Sequence, residues 1–432
     1  MSAKRVVVTG YGGICALGEN TADIWQSIID YRVGYRQHSF DDPSIKAKYF
    51  GFVDPSRTRY LKFSKSVLKM VPEFAKYALV ATREALHMAF GVDADLAEII
   101  SPFDIGVMIG TGWGGVDAVS RNNNDYQACG MSSSFATLMS MSSVGTAAVS
   151  INWNLRGYQN TPVAACATGT MAIGDAYEVI KSGRAKVMLA GGSESLKEQF
   201  NVWSIDVIQA LTKEHSDLRL ACCPFSADRS GFVLSEGAAV LCLEEMEHAT
   251  ARGANIIAEV TGYANYSDAA DMTAPAEDLE ARRRTIVDAL HAAGRDTGQL
   301  HYINAHGTST QKNDINETQS LKAALGDAVY GIPISSTKSY TGHLIGAAGA
   351  MESIFCLKTI ETGVIPATIH LDSPDPECDL NYVPNQHLTN QSIDTALNLS
   401  FGFGGANCAL VFARVSSHKS PHTPSRPVEL LT

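Results

Sequence analysis

The chain has 432 residues, 45% hydrophobic and 18% charged, with a net charge of −11. That composition fits a globular protein with one large core or two fused ones, and the acidic balance argues against nucleic acid as the main partner. No apolar run reaches the roughly 20 residues that span a bilayer.

At the N-terminus, Lys4 and Arg5 lead straight into Val6-Val7-Val8-Thr9-Gly10. This reads as a strand and lacks the apolar core and cleavage site of a signal peptide, so the cytoplasm is expected. The nine cysteines are scattered, none in CxxC spacing. Cys222 and Cys223 are adjacent, which is poor geometry for a disulfide or a zinc site. Mostly buried thiols in a reducing compartment are expected, with no metal.

Strands are predicted near 5–9, 105–109, 186–191, 237–243, 256–261, 301–305, 333–336, 397–401 and 408–413. Helices are predicted near 21–31, 73–90, 166–182, 245–252, 278–293, 314–325 and 343–361. Runs such as Val187-Met188-Leu189-Ala190 are apolar on both faces and belong in a sheet covered on both sides. The class is therefore α/β with layered sheets and helices. Residues 32–75 and 113–140 fit the alternation poorly and read as insertions at the mouth of a site.

The chain also repeats itself. Val8-Thr9-Gly10-Tyr11 recurs as Val260-Thr261-Gly262-Tyr263, and two strand–turn–helix units end in Gly183 and Gly363. Both glycines read as helix C-caps at positive φ. Four-residue matches also arise by chance, so duplication and coincidence both stand on this evidence.

Several motifs carry chemistry. Cys166 sits in Ala164-Ala165-Cys166-Ala167-Thr168-Gly169, where an apolar run ends and a helix pattern begins. A helix N-terminus favours a thiolate over the ordinary thiol; the alternative is a buried core cysteine. His306 ends the strand-like Tyr302-Ile303-Asn304-Ala305, and His343 opens a helix of small residues. Two imidazoles in such turns, with a similarly placed thiol, suit acyl-thioester chemistry in which a carbonyl is polarised. Glu352 is the lone acid of its apolar helix, and buried charge there requires a partner, for which Lys338 is the nearest candidate. Asp314 and Glu317 lie one helical turn apart and face either the same cluster or solvent. In Phe401-Gly402-Phe403-Gly404-Gly405 a backbone N–H, with that of Cys166, is placed to hold a thioester oxyanion. The glycine stretches at 10–13 and 110–115 lack GxGxxG spacing, which argues against a nucleotide.

The ordered set Ala165-Cys166, Pro224-Phe225 with Gly231-Phe232-Val233, Asn304-Ala305-His306-Gly307-Thr308-Ser309-Thr310, Ser335-Ser336-Thr337-Lys338-Ser339 with Thr341-Gly342-His343, and Phe401-Gly402-Phe403-Gly404-Gly405 resembles the β-ketoacyl-acyl-carrier-protein synthases of the elongating class. The likeness covers about residues 4–414. It implies the thiolase-like, duplicated, five-layered α-β-α-β-α fold. One half, 1–255, would carry the cysteine and the other, 256–414, the histidines, with 415–432 a peripheral tail.

The resemblance also implies roles. Cys166 takes an acyl chain from acyl carrier protein, and His306 and His343 support malonyl decarboxylation. Lys338 with Glu352 orders the histidines, and Phe403 gates and supplies an oxyanion N–H. Thr308 and Thr310 lie near the pantetheine arm, with Phe401 and Trp113 at the substrate. No metal, nucleotide or other cofactor is implied. Lys62, Lys65, Lys69 and Lys213 match basic positions of the family's carrier-docking surface; the alternative is a solvated face.

The departures from the family pattern bear on substrate. Ala167 replaces a hydroxyl residue, Ser226 and Ser230 replace acids, and Trp113 stands where a smaller aliphatic residue is usual. Relatives of type II polyketide or aryl-polyene pathways diverge this way, often paired with a chain-length factor. A homodimer or such a heterodimer is expected. Housekeeping fatty acid elongation is the alternative, with a non-catalytic chain-length subunit or a degradative thiolase behind it.

Overall fold

The computed structural model describes residues 3–54, 63–92, 94–213 and 217–415. Lys62 and the tail beyond Val415 lie outside them. Its centre is a sheet of ten strands in the order β11-β10-β12-β13-β9-β1-β8-β6-β4-β5. Here β1 is Val6–Cys15, β4 Ile105–Gly110, β5 Gln159–Asn160, β6 Val187–Glu194 and β8 Gly237–Glu245; β9 is Ala258–Ser267, β10 Tyr302–Asn304, β11 Ile334–Ser335, β12 Thr395–Phe401 and β13 Ala406–Ala413. The remaining strands, β2 Arg36–Gln37, β3 Tyr49–Gly51 and β7 Leu234–Ser235, form a small separate sheet.

Read outward from the centre, the order repeats in sense as well as position. β1 pairs antiparallel with β8, β8 with β6, then β6 parallel with β4 and β4 with β5. On the other side, β9 pairs antiparallel with β13, β13 with β12, then β12 parallel with β10 and β10 with β11. The two repeats of Val-Thr-Gly-Tyr lie on β1 and β9, which pair with each other through Val6 and Val260. The duplication is thus a property of the fold, and the four-residue matches mark it.

The helices used below are α1 (Thr21–Ile29), α2 (Lys65–Leu68), α3 (Glu73–Phe90), α4 (Val116–Cys129), α5 (Val144–Trp153), α6 (Thr168–Lys181), α7 (Gln199–Asp206), α8 (Glu280–Ala292), α9 (Gln311–Leu325) and α10 (Ala348–Thr362). Alternation along the strands produces the layers. Met188 and Ala190 face a central core shared with α6 and α10, while Val187 and Leu189 face α3 and α5. In the other half, Ala396 and Leu410 face the central core, and Leu397 and Val411 face α8 and α9. Helix, half-sheet, paired helices, half-sheet and helix therefore stack in five layers. Burial of both faces is what makes β4, β6, β8 and β13 apolar through most of their length, whereas β9 alternates buried with part-exposed residues.

The glycines of β1 are not a nucleotide loop. They lie inside a fully buried strand, and a Cβ on Gly12 would sit 2.1 Å from the carbonyl of Ala81. Their absent side chains let α3 lie flush on the sheet. The 113–140 stretch is not irregular either, because α4 occupies much of it. Its Asn-Asn-Asn-Asp run hid the helix, since these residues favour caps and turns over helix interiors.

In the central layer α6 and α10 meet at their N-terminal ends. A Cβ on Gly169 would be 2.7 Å from the amide of Ala350. This close approach brings the loop before each helix to the same point. Gly183 and Gly363 close the far ends at φ 77° and 68°, as the sequence predicts.

Candidate active site

Cys166 lies in a one-turn 3-10 segment, Ala165–Ala167, that feeds α6. The turn forces Ala165 to φ 45°. The amide of Ala164 donates to Thr168 Oγ1 at 2.8 Å, which fixes the chain as it enters the helix. The cysteine is buried.

His306 stands just beyond β10. Its amide donates to Glu317 at 2.7 Å, and that of Gly307 donates to the other oxygen of the same carboxylate at 2.7 Å. His343 comes from the loop before α10, and its amide donates to the carbonyl of Val233 at 2.7 Å. One Sγ or ring nitrogen from each of Cys166, His306 and His343 lies within 4.8 Å of the others. The sequence reading is correct that these residues converge.

The histidine tautomers follow from their partners. Nδ1 of His306 faces the Lys338 ammonium at 3.3 Å, and Nδ1 of His343 accepts from the amide of Ile345 at 3.1 Å. With Nδ1 an acceptor in both rings, the proton resides on Nε2. His343 Nε2 is buried and has no hydrogen-bond partner. Burial, with Lys338 next in weight, holds both imidazoles well below their ordinary range, so they are neutral at pH 7. The site thus presents two neutral N–H donors, suited to an oxyanion. A divalent ion at the same atoms would meet the Lys338 ammonium.

Lys338 is nearly fully buried and donates to the carbonyl of His306 at 2.6 Å and to Glu352. Lys338 and Glu352 form the ion pair expected from the lone acid in its helix. Asp314 and Glu317 are fully buried, which overturns the solvated alternative. Asp314 accepts from the amides of Thr308 and Phe225 and pairs with Arg229 at 3.5 Å. Burial pushes Glu317 up to about 7. The two acids hold the backbone that carries His306.

One expectation fails. Burial pushes the Cys166 thiol up to about 12, against the lowering effects of Lys338 and of the Phe403 N–H that reaches the sulfur. Desolvation outweighs both in so enclosed a position. The Phe403 amide does lie where the sequence places it. A Cβ on Gly402 would be 3.3 Å from the Cys166 amide nitrogen, so the two loops are in contact.

Phe401 is buried, with its ring centroid 5.8 Å from that of His306. On Phe401 rests Arg282, its guanidinium 4.1 Å from the ring centre, a buried cation that sequence reasoning missed. Its only signal is its place in the Arg282-Arg283-Arg284 run on α8. Thr308 and Thr310 share a hydroxyl contact of 2.9 Å. Trp113 is half-buried and packs on an apolar cluster that includes Ile345, Leu196, Val202, Ile205, Leu211 and Phe232. Of the lysines, Lys65 and Lys69 are exposed together at α2, and Lys213 is exposed on a separate segment. Ser226 and Ser230 are satisfied locally, Ser226 by the carbonyl of Ser373 and Ser230 by the Lys213 amide. Cys129, at the end of α4, is the exposed cysteine; every other one is buried.

Two family models match the chain. "Beta-ketoacyl synthase, N-terminal domain" covers residues 3–249, and the C-terminal domain of the same family covers 257–372. A curated relative from Synechocystis sp., 3-oxoacyl-[acyl-carrier-protein] synthase 2, is 39% identical over 96% of this chain and 99% of its own length. Among solved structures, a type II polyketide ketosynthase in complex with its acyl-carrier protein and bound to the hexaketide superposes with a TM-score of 0.87. It is 34% identical and covers 96% of this chain and 100% of that one. The ishigamide ketosynthase/chain length factor also gives 0.87, at 28% identity over 96% of this chain and 100% of that one. Among the described residues, no helix is long and apolar enough to cross a membrane.

Proposed function

The chain belongs to the β-ketoacyl synthase family, whose members are condensing acyltransferases, and on that premise we propose how its residues divide the reaction and which acyl chains it accepts. The reaction is that of a 3-oxoacyl-[acyl-carrier-protein] synthase: an acyl group on the enzyme is extended by two carbons from a malonyl carrier protein. The observation that carries the assignment of roles is the meeting of the Cys166 sulfur with two neutral histidines whose Nδ1 atoms are already engaged, which leaves Nε2–H as the donor of each.

In the first half-reaction the Cys166 sulfur attacks the acyl thioester. The carrier's pantetheine thiol leaves with the proton that Cys166 gives up. The amides of Cys166 and Phe403 hold the tetrahedral oxyanion. In the second, malonyl thioester loses its carboxylate as carbon dioxide. The electron pair passes to the thioester oxygen, which His306 and His343 hold through Nε2–H. The enolate carbon then attacks the Cys166 thioester, and Cys166 leaves as thiolate and regains a proton from water. Lys338 and Glu352 keep His306 in the donor tautomer. Thr308 and Thr310 bind the pantetheine arm beside Phe401. No cofactor takes part beyond that arm.

We assign the enzyme to a specialised type II pathway, extending short or functionalised primers. An indole at position 113, packed on the apolar cluster that includes Ile345 and following a glycine that abuts the Cys166 turn, occupies space that a long alkyl tail would need, and a close-packed interior cannot hold both. The carrier protein docks through Lys65 and Lys69, with Lys62 and Lys213 contributing. The enzyme pairs with a second ketosynthase-fold chain, a copy of itself or a chain-length factor; the ishigamide structure supports the second kind. Housekeeping elongation is the competing reading, favoured by the higher identity to the Synechocystis relative.

Mass spectrometry of Cys166 after incubation with a panel of acyl carrier proteins separates the two. Trp113→Ala should let Cys166 accept long saturated chains at least ~10-fold faster than wild type, the scale of a few methylenes in a pocket. Equal loading of a long chain by wild type and Trp113→Ala would overturn the specialised reading.

A further inference from the structure

Glu194 ends β6 and is completely buried, with no basic partner among its hydrogen bonds. Such a carboxylate is expensive to bury unless its environment holds it. Its partners are all donors from two turns. One oxygen accepts from Thr111 Oγ1 at 3.0 Å. The other accepts from the amide of Gly112 at 2.6 Å and from that of Gly346 at 3.2 Å. Burial pushes the carboxyl up to about 7 against these donors.

The two turns have different duties. Thr111-Gly112 carries Trp113, assigned above as the wall of the acyl pocket. Ile345-Gly346 carries the amide that donates to Nδ1 of His343. They touch as well as share a ligand: a Cβ on Gly112 would lie 2.9 Å from Ile345 Cγ2, and one on Gly346 would lie 2.4 Å from the Gly112 amide nitrogen. Ile345 is held at φ 50°, which a β-branched residue adopts only when its surroundings impose it.

We propose that Glu194 is a positioning residue that clamps the acyl-pocket turn to the histidine turn, so that the state of the pocket wall is felt at His343. The clamp fixes Ile345, Ile345 fixes the tautomer of His343, and the tautomer sets the donor that decarboxylation uses. A chain that displaces the Trp113 turn therefore alters the histidine. This rests on the role given to His343 above.

Imidazole 15N NMR of the full chain reads the tautomer directly, with Glu194→Ala and Glu194→Gln as variants. The amide oxygen of glutamine can accept the same two N–H groups, so Glu194→Gln should resemble wild type. Glu194→Ala should move the His343 nitrogens toward a tautomer mixture and leave those of His306, fixed by Lys338, in place. In the same protein malonyl decarboxylation should fall ~10-fold or more through kcat, with Cys166 acylation within about threefold, as expected for loss of a buried hydrogen-bonded group. Gly112→Ala presses on the same carboxylate oxygen from the pocket side without removing it. It should shift His343 in the same sense, but its Cβ also meets Ile345 Cγ2, so Thr111→Val, which removes the hydroxyl donor to the carboxylate and should shift His343 likewise, decides the matter if Glu194→Ala does not fold.

The proposal is overturned if His343 is unmoved in the variant that folds, if His306 and His343 shift together, or if Glu194→Gln behaves like Glu194→Ala. If wild type neither acylates Cys166 nor decarboxylates, the assigned reaction fails instead, and the NMR comparison still decides the clamp.

Discussion

The turns Ala165–Ala167 and Ile345–Ala347 are the same structure built twice. Each is a 3-10 turn opened by a residue at positive φ, 45° at Ala165 and 50° at Ile345. Each feeds a buried central helix that ends at a positive-φ glycine. Yet the middle residue is Cys166 in one and Gly346 in the other. The first turn presents a thiol, the proposed nucleophile. The second presents only backbone, and it spends its amides on His343 and Glu194. Duplication supplied two equivalent platforms, and one side chain decides which of them carries a thiol. The loops beyond β4 and β10 divide in the opposite way: the first, held by Glu194, carries Trp113, and the second, held by Glu317, delivers His306.

The sharpest test of this division removes the nucleophile alone. Cys166→Ala changes little volume and should leave the fold intact. Condensation should fall on the order of 10⁴-fold or more, the scale seen when a nucleophile is deleted, with no acyl adduct by intact mass. Malonyl decarboxylation should persist, because its donors lie in the other half. Loss of both activities in a folded protein would break the comparison.

The converse variants act on the second half. His306→Ala and His343→Ala should each lower decarboxylation by about 10²- to 10³-fold, the cost of one oxyanion donor. Acylation of Cys166, followed by mass spectrometry, should continue in both. Decarboxylation retained in both variants would refute their role.

A pH series sharpens the account of the first turn. The thiol is pushed up to about 12, so the reactive thiolate is scarce at neutral pH and grows as pH rises. Alkylation of Cys166 by iodoacetamide should accelerate by about tenfold per pH unit from pH 7 to 10, with no plateau. A plateau near pH 8 would mean that the helix end outweighs burial after all.

The smallest expected effect lies outside both turns. Lys65→Glu with Lys69→Glu should raise the apparent KM for carrier-bound acyl groups roughly 3- to 10-fold at low salt, less at high salt, and leave kcat alone. An unchanged KM at low salt would remove α2 from the docking surface.

Much of this was legible before the structure. Strands covered on both faces declare themselves as apolar runs, and β4, β6, β8 and β13 were read that way. The histidines, the cysteine and Lys338 stand in turns whose small residues mark them. What the sequence hides is burial of polar groups. Glu194 ends an ordinary strand, Arg282 sits in a run of arginines, and Asp314 and Glu317 look like one face of a solvated helix. Glu194 and Arg282 meet groups remote in sequence, whereas Asp314 and Glu317 bind amides of the turn that precedes their own helix, which no helix-face pattern announces. Helices α4, α5 and α7 were missed because polar or small residues break their apolar stripes. The thiol was misjudged for a related reason: a helix end can be read from spacing, whereas enclosure by the loop at Gly402 and the histidines cannot.

The single exposed cysteine, Cys129, has a practical consequence for anyone who counts thiols. A maleimide or aromatic disulfide reagent meets that sulfur first, and the enclosed cysteines follow slowly or not at all. Reagent uptake would then run in phases, and the fast one would be mistaken for the nucleophile. In a Cys129→Ser background that fast phase is lost, and the slow signal comes from the enclosed cysteines, Cys166 among them. In the native background the same sulfur is a ready attachment point for a fluorophore. It ends the helix that begins three residues after Trp113, so a dye there would report rearrangement along α4 as acyl chains enter.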